Sequence, residues 1–324
     1  MYKTVKKHTN PTHVTVLGDL LGSQWISDEE FERRGNRFWE IFDDGEKVTP
    51  EDIRAQSADG PAWRNKILTM PGNHDIGYAG DMNRHRIERF EKMFGPANYK
   101  LHFHPGPEAV PELRLVVLNS LALDTPVFDQ SIANDAYEAV DEALKNKSLI
   151  ASQATVLLTH LPFWKPEGVC VDGPMMDFFS EEYGGGVKSQ NFLSDVVSHL
   201  LKGWIFGYPG GDDPEVKGKS RGVVLTGHDH EGCDTTHWWN TTTSEGAAHG
   251  KWNVSRTADW RSEAMSDIIA TKEAATNDKT ESIREITVRS IMGMYGGNIG
   301  LLSAWYDWGN EGSSFSSPSI ASTF

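Results

Sequence analysis

The stretch PGNHDIGY, residues 71–78, follows directly on the apolar run at residues 67–70. Three more polar motifs stand directly after apolar runs: Gly18-Asp19 after residues 14–17, His160 after residues 155–158, and GHDH (227–230) after residues 223–225. Apolar runs this short, bounded by glycine and polar residues, predict strands buried on both faces. Because the carboxyl ends of neighbouring parallel strands meet at one edge of a sheet, we expect the four motifs to converge.

Segments with helical spacing and many charges lie between the early strands, at residues 28–42, 83–94 and 133–146. Further strands are predicted at residues 113–118, 286–291 and 299–305. This alternation indicates an α/β fold, with helices covering central sheets. Residues 203–222 and 240–281 are rich in glycine, serine, threonine and charge, and are predicted to be insertions, the second with a helix near residues 262–275. We expect a single domain over residues 1–324.

The side chains in the four motifs are suited to metal binding. Asp19, Asn73, His160, His228 and His230 offer carboxylate and amide oxygens and imidazole nitrogens, the mixture that manganese, zinc or iron accepts. A glycine before a ligand allows a tight turn that brings the chain close to an ion. Taken singly, Asp19 reads as a turn or helix-cap residue and His160 as a core histidine. All four motifs, in this order and at strand ends, favour a metal site.

Composition limits the alternatives. The 324 residues are 38% hydrophobic and 24% charged, as in a soluble globular protein. A formal net charge of −15 disfavours nucleic acid as a partner. No apolar run approaches the roughly 20 residues that cross a bilayer.

Two minor features have more than one interpretation. Cys170 and Cys233 are the only cysteines, so two free thiols and one disulfide are both open. Glycosylation sequons stand at Asn146, Asn240 and Asn253, but three arise by chance in a chain of this length and have meaning only in a secretory compartment.

The motifs resemble the blocks of the calcineurin-like metallophosphoesterases: D-x-H or D-x-Q, GD, GNHD or GNHE, a lone histidine, and GHxH. The resemblance implies a four-layer αββα sandwich with a dinuclear metal site at the carboxyl ends of the strands. It implies that Asp19 bridges two metals, that Asn73, His160 and His228 bind one, and that His230 binds the other. His74 would face the substrate, oriented by Asp75. The 18 residues before Asp19 contain no aspartate or glutamate, so the strand carrying the first block is expected upstream.

Longer stretches are similar to one branch of that family: LGDLLGSQW (17–25), LTHLPFW (158–164) and GHDHEGCDTTH (227–237). The branch contains endoplasmic-reticulum phosphodiesterases that remove ethanolamine phosphate from a mannose of the GPI-anchor glycan. The resemblance implies attack by a metal-bridging hydroxide, two divalent ions with manganese favoured, and GPI-anchored proteins as partners. It further implies a lumenal domain with membrane anchors outside this chain, glycosylation at the sequons, and a disulfide between Cys170 and Cys233.

Substrate contacts are predicted less sharply. Asn83, His85 and Arg86 stand just past GNHD, within reach of glycan hydroxyls, although helix-surface roles would explain them equally well. Trp25, Trp164 and Tyr295 are candidates for stacking on sugars at the rim of the site. Asp81, Asp172 and Asp177 follow motif strands and suit a cationic ethanolamine group in sign, although solvated carboxylates explain them more simply. Two other functions stay open: a metallophosphoesterase acting on nucleotides or phosphoproteins, and a non-catalytic binding module on the same fold.

Overall fold

The computed structural model describes residues 2–42, 45–55, 60–104, 112–144, 153–207, 221–239, 252–258, 281–304, 306–307, 314–315 and 319–322. The helices are α1 (Tyr2–Thr9), α2 (Asp28–Phe42), α3 (Pro50–Arg54), α4 (Asn73–Ile76), α5 (Arg84–Phe94), α6 (Gln130–Leu144) and α7 (Asp195–Phe206). The strands are β1 (Val14–Val16), β2 (Glu46–Lys47), β3 (Lys66–Thr69), β4 (Tyr99–Phe103), β5 (Glu112–Leu118), β6 (Gln153–Thr159), β7 (Met176–Phe178), β8 (Val187–Gln190), β9 (Arg221–Thr226), β10 (Cys233–Trp239), β11 (Trp252–Ala258), β12 (Glu281–Thr287), β13 (Gly300–Ser303), β14 (Tyr306–Asp307), β15 (Ser314–Phe315) and β16 (Ser319–Ser322).

A seven-stranded sheet with the order β11-β10-β12-β9-β6-β5-β4 is the centre of the fold. Its strands β12, β9, β6 and β5 run parallel, whereas β4 and the pair β10–β11 are antiparallel to their neighbours. A parallel three-stranded sheet has the order β1-β3-β2, and β7–β8, β13–β16 and β14–β15 form two-stranded sheets. The predicted mixed α/β class with a large central sheet is confirmed.

The continuous apolar runs arise because the large sheet is covered on both faces. In β6, Val156 and Leu158 pack in one apolar cluster with Leu68 of β3, so this face meets the smaller sheet. Leu157, between them, packs in the other cluster with Val140 of α6 and residues of α7. Side chains on a strand alternate between faces, so apolar residues at every position are needed to fill both clusters.

Helices begin and end where local chemistry dictates. The predicted helix at residues 28–42 is observed with those bounds as α2, and its Phe31 and Phe38 pack edge-on against Phe94 of α5. α5 begins at Arg84 because the side chain of Asn83 accepts a hydrogen bond from the Arg86 N–H at 3.1 Å, as an N-cap does.

No helix in the described segments is long and apolar enough to cross a lipid bilayer.

Three boundary predictions are wrong. The strand predicted at residues 286–291 begins at Glu281 and ends at Thr287. Residues 252–258 were predicted to be part of an insertion but form β11, which pairs antiparallel with β10. The segment WNVSRTA contains tryptophan, valine and threonine, which are frequent in strands. Residues 203–206 belong to α7 and residues 221–222 to β9. The rest of both predicted insertions, the helix near residues 262–275 and Trp305 lie outside the described residues.

Candidate metal centre

Four of the five predicted ligands converge at the carboxyl ends of strands from both main sheets. Asp19 follows β1, and Asn73 opens α4 after β3. His160 follows β6 and His228 follows β9, where the Gly227 N–H donates to the His160 carbonyl at 3.1 Å. The centre therefore lies at the edge where the two sheets meet.

The ligand atoms are close enough to hold one ion. Asn73 Oδ1 lies 3.1 Å from His160 Nε2 and 3.0 Å from His228 Nδ1. Asp19 Oδ1 lies 3.4 Å from His160 Nε2, and the ligand atoms of Asp19, His160 and His228 all lie within 4.8 Å of one another. One carboxylate, one amide oxygen and two imidazole nitrogens fit a divalent transition-metal ion.

The ring nitrogens of His160 and His228 that point away from the cluster also indicate a metal site. His160 Nδ1 donates to the Leu17 carbonyl at 2.7 Å, and His228 Nε2 donates to the Gln190 carbonyl at 2.9 Å. A carbonyl accepts only, so in the neutral ring the opposite nitrogen turns a lone pair toward the cluster, as in metal-bound histidine. Burial lowers the pKa of His228 to about 3, which keeps this imidazole neutral and ready to bind.

Strained backbone brings the loops together. Asp19 and His228 have φ values of 54° and 67°, in the left-handed region that residues other than glycine seldom adopt. A Cβ at Gly72 would lie 2.1 Å from Asp19 Oδ1, and one at Gly18 would lie 2.3 Å from His160 Nδ1. Only glycine permits these approaches, which explains the glycine before these two motifs.

Asp75 has a different role from the predicted one. Its carboxylate is fully buried and accepts hydrogen bonds from the N–H groups of Leu20 (3.1 Å), Leu21 (3.0 Å) and Gly72 (2.9 Å). No hydrogen bond joins it to the His74 ring in the part of the chain that the structure describes. Burial, together with the charge of Asp19, raises the pKa of Asp75 above its ordinary value. Asp75 therefore fastens the loop after β1 to the loop after β3.

His74 and His230 lie at the open side of the centre. The backbone N–H of His74 donates to Asp19 Oδ1 at 2.9 Å, while its exposed side chain lines the adjoining cleft. The ring of His230 lies 5.0 Å from that of Tyr295 and also lines the cleft. His230 is outside the tight group of Asp19, His160 and His228, so the described residues assemble one ligand set and leave His230 beside it.

The cleft has a volume of about 550 Å³. Its lining includes Trp25, a predicted rim residue, and Asp81, a predicted partner of the ethanolamine group. The other candidates are not among the described lining residues: Trp164, Tyr295, Asp172 and Asp177. Arg86 stands behind this wall, with its guanidinium 3.0 Å from Asp81 Oδ2 and 4.5 Å from the Trp25 ring centroid. The other two predicted substrate contacts have local partners: Asn83 caps α5, and His85 lies 3.0 Å from Asp28 on the surface.

Some cleft residues were not predicted from the sequence. Tyr78 lies at the end of the first motif, and its ring meets that of His228 edge-on at 6.2 Å. Phe179 and Lys188 come from the β7–β8 hairpin. The only signal for this hairpin is its position between His160 and GHDH, because β7 and β8 are too short to show a clear period.

Cys170 and Cys233 form a disulfide, with their Cα atoms 5.8 Å apart. It joins the segment after β6 to the start of β10 and packs against Phe192. Of the three sequons, Asn253 lies half-buried in β11 opposite Trp238. Asn146 and Asn240 lie outside the described residues.

A buried charge network, also unpredicted, lies behind the His160 loop and consists of Lys165, Lys202, His237 and Glu285. Glu285 Oε2 lies 3.0 Å from Lys165 Nζ and accepts from His237 Nε2 at 2.6 Å, while Lys202 Nζ lies 3.4 Å from His237 Nδ1. The other oxygen of Glu285 accepts from the Phe163 N–H at 2.8 Å, three residues after His160. Burial and the nearby Lys202 lower the pKa of His237 to about 4.

Comparison with known proteins agrees with the motifs. Protein TED1 of Saccharomyces cerevisiae is 29% identical over 95% of this chain and 67% of its own length. An uncharacterized protein of Schizosaccharomyces pombe is 32% identical over 70% of the chain, and Metallophosphoesterase 1 of Danio rerio is 24% identical over 70%. The chain spans about half the length of these last two, 52% and 54%. No protein-family model matches it. These similarities agree with the four motifs and support a metal-dependent phosphoesterase that resembles the metallophosphoesterases.

Proposed function

We propose that this protein is a phosphodiesterase that removes ethanolamine phosphate from a mannose of the GPI-anchor glycan. The observation that carries the proposal is the convergence of Asp19, Asn73, His160 and His228 at the base of a cleft lined by the exposed His74. The motif stretches shared with the GPI-remodelling branch and the relationship to Protein TED1 support the choice of substrate.

The proposal includes two divalent metal ions, with manganese favoured. Asn73, His160 and His228 would hold one ion together with Asp19, and Asp19 and His230 would contribute to the second. When bound, divalent ions supply Lewis acidity, which neutralises phosphate charge and makes water more acidic. The loops that carry these ligands are held in place by Asp75.

His74 is the residue for proton transfer. Its ring is exposed at the cleft, and its backbone is fixed by the bond to Asp19 at 2.9 Å, so the imidazole can reach a substrate oxygen without leaving the site. We assign it the protonation of the departing mannose oxygen, since an alkoxide leaves slowly unless it receives a proton.

Partners and location follow from the same proposal. The partners would be GPI-anchored proteins, and the chain would be a glycosylated lumenal domain in the endoplasmic reticulum, joined to the membrane by segments outside these residues. The Cys170–Cys233 disulfide supports an oxidising compartment. The apolar clusters on both faces of the large sheet support the finer fold prediction, a four-layer αββα sandwich.

The experiment is a comparison of substrates with the oxidised, manganese-loaded chain. A synthetic mannose carrying ethanolamine phosphate, a nucleotide and a phosphopeptide are incubated separately, and products are identified by mass spectrometry. We expect release of ethanolamine phosphate, abolished in Asn73→Ala. Preferred hydrolysis of the nucleotide or the phosphopeptide would support another specificity. Bound metal with no hydrolysis of any substrate would support a non-catalytic binding module.

A further inference from the structure

Lys188 stands out among the cleft residues by its charge. It is the one lysine or arginine in the described part of the cleft lining, which it shares with Asp19, His74 and His228. Its side chain is exposed and makes no ion pair or hydrogen bond within the described residues. The chain has a net charge of −15, and the same cleft lining contains the carboxylates of Asp19 and Asp81, so Lys188 is the cation available there to an anionic ligand.

A β-bulge places Lys188 outside the regular alternation of side chains along β8. In the β7–β8 hairpin, Asp177 pairs with Ser189 and Phe178 pairs with Val187, so Lys188 is the extra residue of a β-bulge. A bulge turns its residue away from the alternation of the strand, and bulges are frequent beside active sites. Val187 and Gln190 of the same strand are buried, whereas Lys188 is exposed and lines the cleft.

The bulge is fixed relative to the metal ligands. The Val187 carbonyl accepts from the Gly80 N–H at 2.8 Å, and the Val187 N–H donates to the Pro126 carbonyl at 3.0 Å. Two residues beyond Lys188, the Gln190 carbonyl accepts from His228 Nε2 at 2.9 Å. The strand β8 thus both orients His228, through the Gln190 carbonyl, and carries Lys188. The distance between Lys188 and His228 should therefore vary little.

We propose that Lys188 binds the phosphate of the substrate and thereby selects anionic phosphoesters. The inference rests on the proposed function for the presence of a phosphate in the cleft. A phosphodiester would bring its negative charge close to the carboxylates of Asp19 and Asp81, which repel it. The ammonium group of Lys188 would offset this repulsion by donating charge-assisted hydrogen bonds to the phosphate oxygens. Lys188 contacts the substrate and has no part in holding the metal.

The test measures phosphate binding separately from catalysis. Inorganic phosphate is titrated by calorimetry into the manganese-loaded wild-type chain and into Lys188→Met, Lys188→Arg and Lys92→Met. Lys92 is an exposed lysine near the end of α5 and does not line the cleft, so its substitution removes one positive charge elsewhere. Metal content and far-ultraviolet circular dichroism are measured for each variant.

We expect Lys188→Met to weaken phosphate binding by roughly 10- to 100-fold, as the loss of one charge-assisted hydrogen bond does. Lys188→Arg should recover most of the affinity, and Lys92→Met should bind as the wild type does. Equal affinity in Lys188→Met and wild type, at equal metal content, would overturn the inference, as would a wild type that binds no phosphate. A wild type that binds phosphate through Lys188 but hydrolyses no ester would uphold this inference while the proposed function fails.

Discussion

Replacing His237 with glutamine should reduce the acid sensitivity of the fold. Within the buried charge network, Nε2 of His237 donates to Glu285 and Nδ1 accepts from Lys202. The glutamine amide offers a donor and an acceptor on one planar group, so it can keep both partners while losing the ability to take up a proton. Near neutral pH we therefore expect the variant and the wild type to differ by about 1 kcal/mol or less in free energy of unfolding.

In acid, the wild type and His237→Gln are expected to differ in free energy of unfolding. The folded chain has the pKa of His237 at about 4, whereas an unfolded histidine titrates near 6.5. Between these values the unfolded chain binds the proton and the folded chain does not, so acidification stabilises the unfolded state. The difference amounts to about 3 kcal/mol once the pH reaches about 4. Protonation of Glu285 destabilises both folded proteins in stronger acid, because Lys165 and the hydrogen bond from residue 237 hold its pKa down to about 2; this lies below the pH range of the comparison.

The measurement is urea unfolding of both proteins from neutral pH down to about pH 4, followed by tryptophan fluorescence, with metal removed by a chelator so that the ligands titrate alike. The wild type should lose about 3 kcal/mol more than His237→Gln over this range. Parallel loss of stability in the two proteins, with equal urea dependence, would refute the assignment of a neutral His237 in the network.

Three further substitutions test the metal centre and its supports. His74→Ala should lower turnover by about 10²- to 10⁴-fold with unchanged manganese content, and equal loss of metal would contradict a role in proton transfer. Asp75→Ala leaves three backbone N–H groups without their acceptor and should cost about 3 kcal/mol or more in urea unfolding, with weaker manganese binding; unchanged values for both would contradict the clamp. Cys170→Ser opens a loop with a sequence separation of 63 residues and should destabilise the chain by up to about 4 kcal/mol, a loss that added reductant reproduces in the wild type but does not increase in the variant.

The motif strands were predictable because each carries two signals at once, an apolar run and a glycine-bounded polar turn. Asp19, Asn73, His160 and His228 accordingly lie where parallel strand ends were expected to meet. The role of Asp75 was not predictable, since motif order does not reveal which way a side chain points from a short turn. Its position in the first turn of α4 directs the carboxylate to backbone N–H groups instead of to His74.

The buried charge network and Lys188 were missed for a different reason. In a sequence, Lys165 and Lys202 look like surface lysines, and only contacts between α7, β10, β12 and the segment after β6 make them buried. Lys188 depends on a bulge, which needs the pairing register of two strands to be known. Both features are set by tertiary contacts, which local patterns do not contain.

The position of β12 sets an order of assembly. β9 and β10 are joined by the short GHDH segment, but they do not pair with each other; β12, made more than 40 residues after β10, lies between them. A chain emerging from the ribosome therefore exposes the facing edges of both strands until residues 281–287 arrive. Before β12 has paired with β9, the loop that carries His228 is not held by a complete sheet. Chaperone release and metal binding should accordingly depend on synthesis of this late strand, and a polypeptide stopped before it would be prone to aggregate.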